Sequence, residues 1–252
     1  MRTVPCTTRK LLLPAFSLCC VSVLLVTSST AQEKNLGPGT DRWPVKTSAD
    51  LQQTPKSITI SKLRNLPPLF TEEESKASRD EHQDKVHSDV RGGLREGQIL
   101  AVKHGYLQLI AREASFNQKH NDFEDGDYHI QIGETRDERE GCVIVEIPDP
   151  DFVKDAELKA KVTQARADVL KILKLTSVSD SGNCIAHPPR VTVVGQLFWD
   201  SAHSVSGNPG GGRGKKQCHR MAASLWEVHP VIAIMSEPNP NPDAGKPALS
   251  CN

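Results

Sequence analysis

The sequence predicts a mainly β domain with one helix, built as a five-stranded Greek-key barrel. Three observations predict it: five segments have strand patterns, one segment has helical periodicity, and this helix falls between the third and fourth strands. The predicted strands cover residues 98–113, 128–132, 142–147, 190–199 and 226–235, and the predicted helix covers residues 152–175. This order is that of the oligonucleotide- and oligosaccharide-binding (OB) barrel and of the staphylococcal-nuclease-like barrel.

The strand segments alternate between apolar and polar residues. Tyr128 and Ile130 alternate with His129 and Gln131, which gives the second strand two different faces. The first strand contains Gly105, which fits a bulge in a bent strand. The residues predicted to be buried on the strands are Tyr128, Ile130, Val143, Val145, Val193, Leu197, Val228 and Ile232.

The helical segment changes to a period of three and four. Its apolar stripe is predicted to cover one end of the barrel and consists of Leu158, Val162, Ala165, Val169 and Leu173. Lysines and arginines lie off this stripe, and we interpret them as a solvated face.

The first 31 residues predict a cleavable signal peptide. A basic start with Arg2, Arg9 and Lys10 precedes an apolar run, and small residues end it at Ala31. The run is interrupted by Pro14 and is shorter than the roughly 20 residues that a spanning helix needs, so no membrane span is expected in the mature chain. The predicted location is secreted or periplasmic.

The mature chain is predicted to divide into three parts. Residues 32–92 are rich in proline, serine and charged residues and predict a flexible spacer. Within it, 57–61 could add a strand and 66–70 could dock on the domain. The barrel is expected within 93–236, and residues 237–252 predict a flexible tail.

Charge and cysteine content restrict the function only weakly. The formal net charge is zero, so binding to nucleic acid or to an anionic membrane would need a local patch. Four cysteines follow the signal peptide, and an even number in an oxidising compartment favours disulfides. From the strand order we expect the pairs Cys142–Cys218 and Cys184–Cys251.

A polar cluster is predicted on three neighbouring strands. Glu146 is expected between His129 and His229, with Glu227 on the same face as His229. Two hypotheses remain open: mutual hydrogen bonding, which the sequence favours, and a divalent-metal or acid/base site. No catalytic residue can be assigned.

A weaker metal hypothesis concerns the acidic segment before the second strand. It could hold calcium and contains Asp122, Glu124, Asp125 and Asp127. The EF-hand spacing is absent from it.

A basic loop precedes the fifth strand. It lacks the spacing of a phosphate-binding P-loop but could contact a polyanion, and its cations are Arg213, Lys215, Lys216 and Arg220. A solvated loop is the favoured interpretation.

Three motifs suggest a family. The sequences DGDYH at 125–129, VEIPDP at 145–150 and EVHPV at 227–231 resemble those of a poorly characterised family of exported bacterial OB-like proteins. The resemblance covers about residues 97–234. It implies an exported OB-like fold and carries no known reaction, cofactor or catalytic residue.

The favoured function is therefore a binding or interaction module without a cofactor. The alternative is a metal-dependent hydrolase of the nuclease-like phosphodiesterase type, with calcium or zinc. Candidate partners are an oligosaccharide, an oligonucleotide or an envelope protein.

Overall fold

The computed structural model describes most of the barrel and part of the chain before it. The described residues are 42–70, 85–113, 116–117, 122–123, 125–137, 140–200 and 221–238. All of them belong to one compact unit, residues 35–252. The predicted signal peptide and nearly all of the predicted tail lie outside the described residues. Among the described helices, none has the length and apolar character that crossing a membrane requires.

The described part of the chain contains three α-helices and eleven β-strands. In chain order they are α1 (Trp43–Lys46), β1 (Lys56–Thr59), α2 (Ile60–Arg64), β2 (Val90–Arg91), β3 (Leu94–Arg95), β4 (Ile99–Arg112), β5 (Phe116–Asn117), β6 (Asp122–Phe123), β7 (Tyr128–Gly133), β8 (Glu140–Ile147), α3 (Ala156–Leu173), β9 (Asn183–Cys184), β10 (Arg190–Trp199) and β11 (Met221–Ser236). A single 3-10 turn over Pro150–Phe152 follows β8.

Five strands close into a barrel. Following the hydrogen bonds, β4 pairs with β7, β7 with β8, β8 with β11, β11 with β10, and β10 with β4. Only the β8–β11 pair within this ring is parallel. This pairing is the OB arrangement, so the predicted fold class is confirmed, including the helix between the third and fourth barrel strands.

The core fills the barrel as strand alternation predicts. Of the eight strand residues expected to be buried, six are, whereas Tyr128 and Ile232 are partly exposed at its periphery. The pairing of β4 with β10 slips next to Gly105, and His104 there has a φ of 67°. The bulge predicted in this strand is therefore present.

The long helix α3 begins where a capping residue stands. The Asp155 carboxylate accepts a hydrogen bond from the Leu158 backbone N–H at 2.8 Å. The predicted stripe is buried over Leu158, Val162, Ala165 and Val169, and Leu173 is partly exposed. The helix thus packs its apolar stripe on the barrel.

Residues 42–70 form an arm that packs on the barrel. Strand β1 extends the sheet by parallel pairing with β4, and the arm buries Val45, Ile58 and Leu63. The flexible-spacer prediction is therefore wrong for this segment, whereas the alternatives of a strand within 57–61 and of docking at 66–70 are confirmed by β1 and by the burial of Leu66 and Leu69. Residues 32–41 and 71–84 lie outside the described residues.

A buried ion pair anchors the start of the arm. Arg42 donates to both carboxylate oxygens of Glu96, at 2.6 and 2.9 Å, and to the Trp199 carbonyl at 2.7 Å. Arg42 and Glu96 are 3% and 1% exposed. Two parallel hydrogen bonds fix the orientation of the Arg42 side chain relative to Glu96. This pair therefore holds α1 against the barrel.

The cysteines differ from the predicted pattern. Cys142 is a fully buried thiol that donates to Gln108 Oε1 at 3.3 Å, so the Cys142–Cys218 pair is wrong. Its hydrogen-bond acceptor Gln108 belongs to β4, a strand that does not pair with β8. Cys184 is disulfide-bonded. Cys184–Cys251 therefore remains a prediction.

Candidate metal centre

Strand alternation places a row of polar side chains on the outer face of the barrel. Ile130, Val145 and Val228 point into the core, so their neighbours His129, Glu146 and His229 point outward. His129 lies directly opposite Glu146, and the β8–β11 register places His229 on the other side of Glu146. The three residues therefore form one row across β7, β8 and β11.

Glu146 lies between the two histidines, as predicted. Nδ1 of His129 donates to Glu146 Oε1 at 2.8 Å, and Nδ1 of His229 donates to Oε2 at 3.0 Å. Each carboxylate oxygen thus holds one imidazole. A carboxylate that binds Nδ1–H in this way fixes the ring and leaves Nε2 with its lone pair.

This row is buried although it faces away from the core. His129, Glu146 and His229 are 5%, 4% and 0% exposed. Part of the cover comes from Phe198 of β10, whose ring centroid lies 5.6 Å from that of His229. The arm contributes to the cover through Lys46, whose ammonium lies 5.9 Å from the centroid of the Phe198 ring.

Two acids from the segment before β7 enter the same cluster. Asp127 Oδ2 lies 3.3 Å from His229 Nε2, and Asp125 Oδ2 lies 3.6 Å from Lys46 Nζ. Asp127 is held by its other oxygen, which accepts from the Asp149 backbone N–H at 3.0 Å. Asp125 and Asp127 are buried, with exposed fractions of 3% and 0%. We call Lys46, Asp125, Asp127, Glu146 and His229 the acid cluster.

Burial raises the pKa of two of the three acids in the acid cluster. It raises the pKa of Asp125 to about 7 despite the attraction of Lys46, and with the charge of Asp125 it raises the pKa of Asp127 well above its usual range. Burial alone would also raise the pKa of Glu146, but hydrogen bonds from the two histidines hold it well below the usual range.

Burial acts to lower the pKa of both basic members of the acid cluster, but their net pKa shifts differ in direction. Burial lowers the pKa of His229, so this imidazole is neutral near pH 7. Burial alone would lower the pKa of Lys46 too, but the surrounding carboxylates, Asp125 foremost, raise it. Lys46 is therefore the fixed cation among these five residues.

Several buried ligand atoms have no hydrogen-bond partner. Among the described residues these include His229 Nε2, Asp127 Oδ2 and His129 Nε2. Two sets of three residues bring one ligand atom each within 4.8 Å of the others: Asp127 with Glu146 and His229, and Glu113 with His129 and Glu146. Both sets can hold a metal ion.

The remaining predicted site residues either lie beside this cluster or fall outside the described residues. Glu227 is fully buried and lies opposite Ile144 and Phe198 in the adjacent row. It belongs to neither three-residue set found in the described part of the chain. Of the acidic segment, only the backbone of Asp122 is described, and Glu124 lies outside. The basic loop over 213–220 also lies outside the described residues.

Sequence reasoning missed Lys46 and Glu113. Lys46 comes from the segment interpreted as a spacer, and no pattern links it to strands 80 or more residues away. Glu113 directly follows β4, where its carboxylate comes within 3.6 Å of His129 Nδ1. Strand order alone could have indicated Glu113, because β4 and β7 are antiparallel and Ala111 lies opposite His129.

Comparisons with known proteins give no relatives. No family model matches the chain, and neither a curated protein nor a solved structure matches it. The resemblance to exported OB-like proteins stays a prediction.

Proposed function

We propose that this protein is an exported OB-type binding module whose ligand is a divalent cation of the zinc type. The cation is held by Asp127 and by Nε2 of His229, and Glu146 orients the His229 ring through its contact with Nδ1. The observation that carries the proposal is the meeting of two buried ligand atoms, His229 Nε2 and Asp127 Oδ2, neither of which makes a hydrogen bond.

The spacing of these two atoms supports a shared cation. Two zinc ligands with bonds of about 2.0–2.2 Å at the tetrahedral angle lie roughly 3.3–3.6 Å apart. Asp127 Oδ2 and His229 Nε2 are 3.3 Å apart. Sequence analysis favours mutual hydrogen bonding for this cluster, but such bonding leaves both atoms without a partner, and a buried polar atom without a partner is costly.

The charges of the acid cluster support a divalent cation. Asp125, Asp127 and Glu146 supply three carboxylates, whereas Lys46 supplies one ammonium and His229 is neutral. With all three acids ionised, these residues carry an excess of two negative charges. Burying such an excess is unfavourable unless a cation or protons compensate it.

The donor types select the metal. An imidazole nitrogen with carboxylate oxygens suits zinc and neighbouring transition metals, whereas calcium prefers six to eight oxygens. The Glu146–His229 hydrogen bond is the outer carboxylate–imidazole contact that zinc-binding histidines commonly have. We therefore favour zinc over calcium.

Zinc titration of the purified full chain tests the proposal. Competition with a chromophoric chelator should give tight binding to the wild-type protein. Asp127→Asn and His229→Gln should each weaken it by at least 100-fold, because each removes a direct ligand. His104→Gln is the matched control, since His104 is 57% exposed and pairs with Glu237 outside the acid cluster.

The outcomes separate the two hypotheses. Zinc binding that survives Asp127→Asn would contradict the proposed ligands. Absence of zinc binding to the wild-type chain would favour a purely structural hydrogen-bonded cluster. In that case His229→Gln should lower the free energy of unfolding without any effect on metal.

The geometry gives less support to the phosphodiesterase alternative. Such an enzyme needs cations beside the metal to bind the phosphate. Arg166 donates to the carbonyls of Gly126, Ile147 and Pro148, and Arg42 is paired with Glu96. Within the described residues, neither arginine is available for a phosphate, and the Lys46 ammonium of the acid cluster is paired with Asp125. We expect no phosphodiesterase activity with zinc, and chelator-sensitive hydrolysis of a nitrophenyl phosphodiester would contradict this.

A further inference from the structure

A small cavity lies at the end of β7 that is farther from Asp127. It has a volume of about 260 Å³, and its wall is formed by the end of β1, the bulged part of β4, the residue after β7 and the start of β10. Glu134 in this wall is seven residues along the chain from Asp127, which corresponds to roughly 20 Å of extended strand. The cavity is therefore separate from the proposed zinc site.

The bulge of β4 brings neighbouring side chains to this cavity. Strict alternation would place Lys103 and His104 on opposite faces of the strand, yet both line the cavity together with Tyr106. His104 has a φ of 67°, a left-handed conformation that is uncommon for residues other than glycine. Bulges beside functional sites re-aim side chains in this way, so the irregularity itself indicates a binding site.

Glu237 holds Arg190 so that the ends of its guanidinium group remain available. Oε2 of Glu237 lies 3.2 Å from Arg190 Nε, and the same carboxylate accepts hydrogen bonds from the His104 backbone N–H and the Thr192 hydroxyl. The two terminal amino groups of Arg190 make no hydrogen bond or ion pair within the described part of the chain. A guanidinium group fixed through Nε presents these amino groups as a planar pair of donors, which suits the binding of an oxyanion.

Positive charge exceeds negative charge around the cavity. Lys103, Arg190 and Glu134 lie in its wall. The Glu134 carboxylate pairs with Arg64 at 3.3 Å, just as Glu237 pairs with Arg190. These residues therefore supply three cations and two carboxylates. Lys103 has no acidic partner among the described residues, so the excess charge is carried by a lysine in the cavity wall.

We infer that this cavity binds a phosphate group. The Lys103 ammonium, the Arg190 guanidinium and the Tyr106 hydroxyl supply donors from three residues, and this hydroxyl makes no hydrogen bond to the described residues. An anion with three or more oxygens can accept from all three residues, whereas a carboxylate has only two oxygens. The volume is below the roughly 300–1,000 Å³ of pockets for drug-sized ligands, so the cavity fits inorganic phosphate or the terminal phosphate of a larger molecule.

Calorimetric titration of the full chain with inorganic phosphate, in chelator and at constant ionic strength, tests the inference. The wild-type chain should show one saturable site. Arg190→Gln and Lys103→Gln should each weaken binding by about 10–100-fold, because each removes a charged donor. Tyr106→Phe keeps the ring and removes only the hydroxyl, so it should weaken binding by about 3–10-fold. Lys161→Gln is the matched control, since Lys161 is an exposed lysine on α3 that pairs with Glu157.

The remaining outcomes either identify the ligand or reject the site. Glycerol phosphate that binds as tightly as inorganic phosphate would support the terminal phosphate of a larger molecule, and weaker binding would support the free anion. The inference would be overturned by the absence of a saturable site, by acetate binding as tightly as phosphate, or by unchanged affinity in both Lys103→Gln and Tyr106→Phe. An equal loss in Lys161→Gln would also overturn it, because that result indicates a general effect of net charge. Asp127→Asn should keep phosphate binding, so the zinc proposal and this inference fail separately.

Discussion

Removing the Arg42 side chain should destabilise the whole barrel. Arg42→Met leaves the buried carboxylate of Glu96 without its bidentate partner and also deletes donors to the carbonyls of Trp199 and Lys85. Breaking a fully buried pair on one side costs about 3–5 kcal/mol. A domain of this size has a total stability of about 5–15 kcal/mol, so the variant should still fold.

Urea unfolding followed by tryptophan fluorescence measures this loss. Trp199 and Trp226 lie in the core with ring centroids 5.0 Å apart and report on the barrel itself. Arg64→Met is the control, because its pair with Glu134 is partly exposed and should contribute at most about 1 kcal/mol. A loss below about 1 kcal/mol in Arg42→Met would refute the conclusion that the arm belongs to the cooperative unit.

Three further predictions concern the acids, the barrel wall and the disulfide. Burial raises the pKa of Asp125 to about 7, so protonated Asp125 contributes fully to the free energy of unfolding below about pH 4. This contribution is lost as the pH rises through 7, by at most about 1.4 kcal/mol per pH unit. Urea unfolding in chelator between pH 5 and 8 should therefore show a shallower fall in Asp125→Asn, and equal slopes would contradict this. Gly195→Ala should cost about 1–3 kcal/mol in thermal unfolding, because a Cβ would lie 2.9 Å from the Val231 Cα on the facing backbone; an unchanged Tm would argue against the observed β10–β11 register. Non-reducing peptide mapping should find Cys184 joined to Cys251, and a fragment joining it to any other cysteine would show that pairing to be wrong.

The barrel could be predicted because its signals are local. Alternation identifies β7 and β8, the apolar run identifies β10, and the stripe of α3 identifies the helix between them. Of the arm, only the alternatives of a strand at 57–61 and of docking at 66–70 could be predicted in this way. Its apolar residues are sparse and their burial depends on the surface of a domain that follows them in the chain, which no local pattern reports.

Only the part of the site that depends on strand pairing could be predicted from the sequence. Adjacent strands bring His129, Glu146 and His229 together, and period two assigns them to one face. Period two does not tell whether that face is covered. The cover includes Lys46, whose position depends on the Arg42–Glu96 pair, so the burial and charge balance of the acid cluster follow from tertiary contacts.

Anomalous scattering from a zinc-soaked crystal tests the metal centre most directly. Data at the zinc absorption edge should show a peak roughly 2.0–2.2 Å from both His229 Nε2 and Asp127 Oδ2. The peak should disappear in crystals of Asp127→Asn. Electron density that shows an ordered cluster of Asp127, Glu146 and His229 with no anomalous peak beside it, at zinc concentrations that load surface histidines, would contradict the account.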